Sequence, residues 1–444
     1  SDRGPGARGW GSGKASTALL DSISLVPDTR PPGPALHPWA NVMTQLGIVA
    51  DDLTGAMDTG VQSAKAGLRA VVMLGNGELP PAEMVVISTD SRDEPAEVAY
   101  RHAREAAGRL AGRLVYKKMD STLRGNLGAE IDGMLDGLRL ERALVAPAFP
   151  NTGRTTEGGY HKVHGVLLSE SAFARDPVWP ATESHLPTII ARQTRRAVGH
   201  LSLEVVEQGP EEVIEALKRE KAPIVAADAV ESRHLRTLAE ALVRMDRLWL
   251  PAGCAGLAEE WIAALGATRS SEGGIGWSAD SRPVLVVAGS RNRTTAAQLQ
   301  EASRRGLAEI MDLPSDADWG ELVGVKSAEL LGRRHNVAIT TTFAPYQEGQ
   351  GMANAQRLAD ATARLLEMHE VSGVFMTGGD IARAVCLRLG ATGLRALGEV
   401  QPGVPAGVLV GGRSDGLRVV TKAGGFGDEK AIIAAIHCLQ GRLS

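Results

Sequence analysis

Short apolar runs alternate with helix-length segments along most of this chain. Six candidate strands come first, at 45–50, 69–74, 84–89, 112–117, 142–147 and 223–227. The candidate helices between and after them are 55–66, 94–110, 126–138, 210–220 and 232–244. Strands that are apolar throughout need cover on both faces, and helices of roughly 10 to 15 residues supply it in parallel sheets. The pattern therefore predicts an α/β fold with largely parallel sheets.

A second α/β series, beginning with the run PVLVVAGS, follows a segment without periodicity. Residues 267–281 are rich in turn-forming residues, which is typical of a linker between domains. Because 444 residues are too many for one ordinary core, we expect two α/β domains, at 44–266 and 282–444. Two such domains offer a cleft between them in which an active site can lie.

The first 43 residues differ from the rest in composition. They are aperiodic and rich in Pro, Gly and Ser, so we expect residues 1–43 to be a disordered leader, a tag remnant or an upstream extension. Met43 is then a candidate start. The segments GPGARG and GSGKAS in this region imitate nucleotide-binding motifs, but neither lies between a strand and a helix, so we assign them no function.

Charge and cysteine usage exclude several classes of protein. The formal net charge is -4 and no Lys/Arg stripe is interleaved with aromatic residues, so we expect no nucleic-acid partner. The three cysteines show neither a zinc-site nor a disulfide pattern, and no apolar run is long enough to cross a bilayer. We therefore expect a cytoplasmic protein without a membrane partner, and leave homo-oligomer formation open.

Polar side chains follow three of the predicted strands directly. The first strand is followed by Asp51, Asp52 and Thr54. The strand at 112–117 is followed by KMDSTLRGN, with Lys118, Asp120, Ser121, Arg124 and Asn126, and the strand at 142–147 by PAFPNTGRTT, with Arg154. Ligands of open α/β sheets bind beyond the carboxyl ends of the strands. We therefore expect these side chains to lie along one rim of the first sheet.

The adjacent pair Asp51 and Asp52 has two interpretations. One aspartate could cap a helix that begins near Thr54, and the helix dipole would favour a second acid there. Two neighbouring carboxylates also repel each other unless a cation or a hydrogen-bond donor, such as a substrate hydroxyl, relieves them. We favour a functional pair, without deciding which aspartate faces the substrate.

The segment around Lys118 and Arg124 indicates an anion site. Capping would explain Asp120 or Ser121, but it would not explain the whole cluster. Lysine and arginine beside backbone N–H groups at a helix start suit an anion, and arginine adds bidentate geometry for a carboxylate. Arg154 is a further candidate for the anion. His161 and His164 lack other ligand-type neighbours, so we expect no metal there.

Three glycine turns in the second series favour a nucleotide. They are VVAGSRNRTT, VFMTGGDIARAV and VVTKAGGFGDEKAI. The glycines let backbone amides approach phosphate oxygens, although a tight turn capped by Asp380 would explain the second. The candidate nucleotide-binding residues are Ser290, Gly378, Gly379, Asp380, Lys422, Gly424, Gly425 and Gly427. Walker A, HExxH and GxSxG motifs are absent, which argues against P-loop, zinc-protease and serine-hydrolase chemistry.

Seven segments together make the chain similar to the four-carbon acid sugar kinase family, from about Gly47 to the C-terminus. They are ADDLTGA, YKKMDSTLRGN, APAFPNTGRTT, ARDPVWPATESHLP, GSRNRTT, TGGD and TKAGGFG. The resemblance implies an ATP-dependent kinase acting on the terminal hydroxyl of a four-carbon sugar acid. Members specific for 3-oxo-tetronate have a Cys-Ser-Thr-containing segment in place of YKKMDSTLRGN, so the resemblance favours threonate or erythronate.

The resemblance also implies roles for the two domains and their residues. The N-terminal domain would hold the sugar acid and the C-terminal domain ATP, with Mg²⁺ bridging the phosphates; its ligands are not assigned. The candidate catalytic residues are Asp52, Asp120 and Arg124. The candidate substrate-binding residues are Asp51, Thr54, Lys118, Ser121 and Arg154. On this hypothesis the cations bind the substrate carboxylate, and one aspartate orients or deprotonates the attacking hydroxyl.

Three other functions stay open from the sequence. A 3-oxo-tetronate kinase would use the same architecture. A nicotinamide-dependent oxidoreductase of sugar acids would also have two α/β domains, although the chain after residue 43 lacks GxGxxG followed by an acid about 20 residues on. A non-catalytic sugar-acid sensor would bind its ligand without needing the aspartate pair.

Overall fold

The computed structural model describes residues 45–176, 179–245, 249–267, 275–313, 322–343 and 349–442. The expected leader at 1–43, the centre of the expected linker at 268–274 and residues 177–178 of ARDPVWPATESHLP lie outside these residues. The described residues belong to one compact unit. The division into domains at 44–266 and 282–444 therefore stays a prediction.

Strands and helices alternate along the chain. The strands are β1 Leu46–Ala50, β2 Ala70–Met73, β3 Met84–Ser88, β4 Leu114–Lys118, β5 Arg142–Ala146, β6 Arg154–Glu157, β7 Tyr160–Val163, β8 Val166–Leu167, β9 Val198–Leu201, β10 Ile224–Ala227, β11 Trp249–Gly253, β12 Val284–Ala288, β13 Glu309–Asp312, β14 Val337–Thr340, β15 Gly373–Thr377, β16 Gly393–Gln401, β17 Val404–Val410 and β18 Arg418–Lys422. The helices are α1 Leu53–Lys65, α2 Ala96–Arg109, α3 Leu127–Leu138, α4 Leu186–Ala191, α5 Leu203–Glu207, α6 Pro210–Arg219, α7 Ser232–Arg244, α8 Ala255–Ala264, α9 Arg293–Arg304, α10 Leu322–Gly332, α11 Gly351–Met368, α12 Gly379–Arg388 and α13 Ala431–Leu439.

Fifteen of the described strands form one continuous sheet. Its order is β13-β14-β12-β15-β18-β17-β16-β2-β3-β1-β4-β11-β5-β10-β9. Neighbours are parallel except around β16 and β17, which pair antiparallel with each other and with β2 and β18. A smaller antiparallel sheet contains β6, β7 and β8. The fold class is therefore α/β with a largely parallel sheet, as predicted.

The core follows from the alternation of side chains along each strand. In β1, Ile48 belongs to one buried cluster and Val49 to another, because successive side chains point to opposite faces of a sheet. The cluster around Ile48 also contains Val374 of β15, so one hydrophobic layer extends over both series of strands. No helix in the described part of the chain has the length and apolar character that a membrane span requires.

The parallel order places three of the loops that carry candidate site residues side by side. Strand β4 pairs with β1 on one side and with β11 on the other, and β11 pairs with β5. The loops after β1, β4 and β5 therefore leave the same edge of the sheet, which is the rim that the sequence predicts. Between β4 and β5 the structure inserts β11, a strand that the sequence analysis does not include.

Candidate active site

The two aspartates after β1 have different surroundings. Asp52 caps α1, because its Oδ1 accepts a hydrogen bond from the backbone N–H of Gly55 at 2.8 Å. Its other oxygen accepts from the hydroxyl of Thr54 at 2.6 Å. Asp51 lies behind it and is only 1% exposed. The helix-cap interpretation is thus right for Asp52, and Asp52 is also the member of the pair that lines the cleft described below.

Arg92 is the cation that relieves the repulsion within the pair. Its Nε donates to Asp51 Oδ2 at 2.7 Å and its Nη1 donates to Asp52 Oδ2 at 2.8 Å. Its Nη2 lies 3.9 Å from Asp120 Oδ1, so one guanidinium joins the loops after β1, β3 and β4. The sequence analysis misses Arg92. The available signal was its position directly after the predicted strand 84–89, which neighbours β1 in the sheet.

The loop that carries Arg92 is held by Asn126. The Asn126 amide donates to the backbone carbonyls of Ser91 at 3.1 Å and of Glu94 at 2.7 Å. Asn126 precedes α3 without making a side-chain cap. Its role in this structure is therefore to fix the backbone on both sides of Arg92.

Asp120 and Arg124 form a bidentate ion pair. Arg124 Nε donates to Asp120 Oδ2 at 2.9 Å and Nη2 donates to Oδ1 at 3.0 Å. Burial alone would raise the pKa of Asp120, but the guanidinium groups of Arg124 and Arg92 hold that pKa well below its usual range. The pKa of Asp52 is also lowered, since Arg92 and Lys118 outweigh burial. Both carboxylates are thus ionised at neutral pH.

Successive lysines of β4 serve opposite faces of the sheet. Lys117 makes a buried ion pair with Glu130 of α3, with Nζ and Oε2 2.7 Å apart. Lys118 reaches the cleft and donates to the backbone carbonyl of Met119 at 3.0 Å. A methyl group at Gly55 would lie 3.0 Å from Lys118 Nζ and 2.6 Å from Asp52 Oδ1. The absence of a side chain at Gly55 therefore leaves the space that Asp52 and Lys118 occupy at the cleft.

Ser121 is fixed by a buried histidine. The backbone carbonyl of Ser121 lies 2.9 Å from His161 Nε2, and Thr156 Oγ1 lies 3.0 Å from Nδ1. A carbonyl only accepts, so Nε2 carries the proton and Nδ1 accepts from the threonine hydroxyl. Burial lowers the pKa of His161 to about 4, so the ring is neutral. Among the described residues, no group of three His, Cys, Asp or Glu side chains is placed to hold a metal ion.

Arg154 lies beside the cleft without lining it. Its guanidinium lies over the ring of Phe426, 5.6 Å from the centroid, and its Nη1 donates to the backbone carbonyl of Thr152. Its Nε is buried without a hydrogen-bond partner in the described structure. Arg154 thus connects the loop after β5 with the glycine turn after β18.

Two of the three glycine turns are in contact. A β-carbon at Gly424 would lie 2.1 Å from Ser290 Oγ, so the backbone after β18 passes directly over the loop after β12. Gln298 of α9 donates to the carbonyl of Asp428 at 2.7 Å and contacts the carbonyl of Gly427 at 3.3 Å. Gly425 has more space around it than Gly424, since the atom nearest to a β-carbon at position 425 would be Asn292 Nδ2 at 3.3 Å. These contacts give the two turns one defined conformation.

The third glycine turn touches the aspartate pair. Gly378, with φ 105°, is the cap residue of α12, so Asp380 lies inside the first helical turn and is not the cap. A β-carbon at Gly379 would lie 3.4 Å from Asp52 Oδ2. Burial, with the nearby Asp93 and Asp90 carboxylates, raises the pKa of Asp380. The amino end of α12 therefore faces Asp52.

Lys422 is buried at the end of β18. Its ammonium donates to the carbonyls of Gly424 at 2.9 Å and Ala423 at 3.1 Å, and to the hydroxyl of Thr295 at 3.3 Å. Burial lowers its pKa to about 7. An ammonium has three hydrogens, so these contacts use all of them. In this structure Lys422 fixes the glycine turn while its side chain lines the cleft.

One cleft gathers residues from both series of strands. Its space, including the open mouth, is about 510 Å³. The lining residues that the sequence predicts are Asp52, Thr54, Lys118, Asp120, Ser121, Arg124 and Lys422. The lining residues that it misses are Gly55, Asp58, Arg92, Phe149, Cys254, Gly403, Pro405, Ala423 and Phe426. The predicted residues outside this lining are Asp51, Arg154, Ser290, Gly378, Gly379, Asp380, Gly424, Gly425 and Gly427.

Comparisons with known sequences identify two family models along the chain and several kinase relatives. A family model described as a sugar-binding N-terminal domain matches residues 46–261, and one described as a nucleotide-binding C-terminal domain matches residues 285–432. A D-threonate kinase of Salmonella typhimurium is 36% identical over 422 residues, covering 88% of this chain and 98% of that protein. A D-erythronate kinase of Heliobacterium modesticaldum is 33% identical, covering 90% and 98%. A 3-oxo-tetronate kinase of Brucella melitensis is 29% identical, covering 87% and 93%.

Solved structures share the fold. A Salmonella typhimurium LT2 protein with a provisional tRNA synthase name superimposes with a TM-score of 0.73 at 27% identity, covering 88% of this chain and 98% of that one. A Haemophilus influenzae protein from a family of unknown function gives 0.69 at 24% identity, covering 89% and 100%. The kinase relatives and the nucleotide-binding domain model define a phosphotransferase for small molecules. The chain belongs to the four-carbon acid sugar kinase family.

Proposed function

We propose that this kinase transfers the γ-phosphoryl group of ATP to the terminal hydroxyl of threonate or erythronate. The cleft carries the proposal, because side chains of the sugar-binding region face Lys422, Ala423 and Phe426 of the nucleotide-binding region. Identity to a D-threonate kinase is 36%, against 29% and 31% to two 3-oxo-tetronate kinases, which supports the choice of substrate.

The charges in the cleft suit a hydroxylated anion. Three cations, three carboxyl groups and the Lys422 amine, whose pKa burial lowers to about 7, line it: Arg92, Lys118, Arg124, Asp52, Asp58, Asp120 and Lys422. Lys118 makes one hydrogen bond within the described structure and so has two hydrogens left for the substrate carboxylate. Arg124 Nη1, 3.8 Å from Asp176, adds to this set. Asp52 and Asp120 would accept hydrogen bonds from substrate hydroxyls.

The glycine turns fit the phosphates of ATP. Glycine at 424 leaves room for the Ser290 hydroxyl, and Gly379 exposes the amino end of α12, where backbone N–H groups and the helix dipole favour an anion. Mg²⁺ usually keeps several waters and binds through substrate phosphates and one or two carboxylates. The absence of a three-ligand cluster among the described residues agrees with that mode. Bound there, Mg²⁺ would neutralise charge that develops on the transferred phosphoryl group.

ADP release tests the proposed function. Purified protein with Mg-ATP should release ADP only when a four-carbon sugar acid is present, and threonate or erythronate should give a higher kcat/KM than a 3-oxo-tetronate. Failure to release ADP with any of these acids would overturn the proposal. Oxidation of NADH by a 3-oxo acid, with no ADP formed, would assign the protein to the oxidoreductases instead.

Gly424→Ala should damage ATP binding selectively. The added methyl group would overlap the Ser290 hydroxyl, which must rotate away, and would still lie 3.2 Å from the β-carbons of Ser290 and Asn292, so the contact between the two turns is strained. We expect the KM for ATP to rise by roughly tenfold or more, which corresponds to about 1.4 kcal/mol, while the KM for the sugar acid changes less than about twofold. Gly425→Ala is the matched comparison and should have the smaller effect, because its methyl group meets only Asn292 at 3.3 Å. Equal effects of the two substitutions would contradict this account of the turn.

A further inference from the structure

Asp58 is a cleft carboxyl group that none of the assigned roles uses. It lies on α1 about 1.7 turns beyond the Asp52 cap, and its side chain lines the same cleft as Lys118 and Lys422. No donor in the described part of the chain makes a hydrogen bond to its carboxyl oxygens; only its backbone carbonyl accepts one, from Gln62 at 3.4 Å. Asp58 therefore has both oxygens available to a ligand.

The other two carboxylates of the cleft are already engaged. Asp120 Oδ2 accepts from the hydroxyl of Thr122 and from Arg124 Nε, and its Oδ1 accepts from Arg124 Nη2. Both oxygens of Asp52 are hydrogen-bonded as well, to the Gly55 amide and to Thr54 and Arg92. Arginine pairing also lowers the pKa of both groups, which makes each a weak proton acceptor. Asp52 and Asp120 are therefore suited to hold and orient the substrate, and less suited to remove a proton from its hydroxyl group.

The surroundings of Asp58 favour a proton acceptor. Burial is the largest influence on its pKa and raises it to about 6. The charged groups facing it are Lys118 of β4 and Lys65 of α1, which lower that pKa, and Glu399 of β16 and Asp52, which raise it. The Cys254 thiol, whose own pKa is raised to about 11, is neutral. A base with a pKa near the working pH combines a populated basic form with useful proton affinity.

We propose that Asp58 is the general base that removes the proton from the attacking terminal hydroxyl of the sugar acid. This inference rests on the proposed function. The hydroxyl proton passes to a carboxylate oxygen of Asp58 as the hydroxyl oxygen forms its bond to the γ-phosphorus of ATP. The bond from that phosphorus to the β–γ bridging oxygen breaks, and its electron pair leaves with ADP. Asp52 and Asp120, fixed by Arg92 and Arg124, hold the substrate in line for this transfer.

Asp58→Asn keeps the size and shape of the side chain and removes the base. We expect kcat to fall on the order of 10²- to 10⁴-fold, while the KM values for ATP and sugar acid change by less than about threefold. The wild-type profile of kcat/KM against pH should show an acid limb with an inflection near 6, because kcat/KM reports the pKa of Asp58 in the protein without substrate. Asp58→Asn should lack this limb. Asp58→Glu should restore part of the rate and the limb. Wild-type kcat with an unchanged acid limb in Asp58→Asn would overturn the assignment.

Glu399→Gln provides a second test that leaves Asp58 in place. Glu399 pairs with Lys65 and accepts from Gln62 at 3.3 Å, and it is not among the residues that line the cleft. Removing its charge should lower the pKa of Asp58, so the acid limb should move to lower pH while the maximal rate stays within about twofold. An acid limb that does not move would count against Asp58 as the base.

Stability measurements show whether the variants fold. The folded-state pKa of Asp58 is raised from its ordinary value of 3.8 to about 6, so ionisation of Asp58 destabilises the fold progressively as the pH rises from 3.8 and fully above about pH 6. Asp58→Asn should therefore raise the Tm at pH 8 more than at pH 4. If the wild-type protein turns over and folded Asp58→Asn does so equally well, only the base is misassigned. If the wild type releases no ADP with any sugar acid, the kinase proposal fails and the base assignment fails with it.

Discussion

Arg92→Met is expected to lower both stability and activity strongly. The substitution removes the guanidinium that donates a hydrogen bond to the buried Asp51 and that lies beside Asp52 and Asp120. Removing one partner of a buried ion pair costs about 3–5 kcal/mol of stability. Because the loops after β1 and β4 would lose their shared contact, we expect kcat/KM to fall roughly 10²- to 10³-fold. Denaturant unfolding and steady-state kinetics at pH 7 measure the two effects.

Arg196→Met is the matched control for Arg92→Met. Arg196 also bridges two carboxylates, with Nε 3.0 Å from Asp132 and Nη2 2.7 Å from Asp136, but its side chain is 30% exposed and is not among those that line the cleft. We expect a loss of about 1 kcal/mol or less and kcat/KM within about twofold of the wild type. If both substitutions gave the same small loss, Arg92 would not be the organising cation of the site.

Asp120→Asn is expected to impair sugar-acid use and to spare ATP binding. An amide cannot hold both nitrogens of Arg124 in the bidentate geometry, so the cation would lose its fixed position in the cleft. We expect kcat/KM for the sugar acid to fall roughly 10²-fold or more. The dissociation constant of ATP, measured by calorimetry, should change less than about twofold. Weakened ATP binding with an unchanged KM for the sugar acid would mean that the two binding regions are exchanged.

Asp132→Asn controls for the loss of a carboxylate. Asp132 also accepts from a threonine hydroxyl, that of Thr194 at 2.8 Å, and from an arginine, yet it does not line the cleft. We expect wild-type kinetics from this variant. The pKa of Asp120 is depressed in the folded state, so the stabilisation that its ionised form gives is present above the ordinary value of 3.8 and is lost as the pH falls through the folded-state pKa. The stability difference between wild type and Asp120→Asn should therefore shrink below pH 3.8.

Most of the first series of strands could be predicted from local pattern. The runs at 45–50, 84–89 and 142–147 become β1, β3 and β5 within a residue, because fully buried parallel strands are continuously apolar. The strand β11 was missed, since Pro251 in its centre cannot donate to the ladder and argues against a central strand. The pairing of β2 with β16 was beyond local pattern as well. Gly393 pairs there with Met73, 320 positions earlier.

The candidate site shows the same limit. Residues that directly follow a strand, such as Asp52 and Lys118, could be found because strand ends meet at one edge of the sheet. The ion-pair partners could not be derived, since the pairing of Arg92 with Asp51 depends on loop geometry across 41 positions of sequence. Asp58 was missed for another reason: it lies inside a helix, where a lone polar residue suggests an exposed face, and only the packed structure places it in the cleft.

The position of phosphorylation tests the central claim most directly. Threonate and its 4-deoxy analogue should be compared in the ADP-release assay, and the product should be examined by phosphorus NMR. We predict that threonate or erythronate yields one ADP for each 4-phosphate formed and that the 4-deoxy acid, which lacks the terminal hydroxyl, yields none. ADP release that persists with the 4-deoxy acid, or a product phosphorylated at another position, would contradict the account.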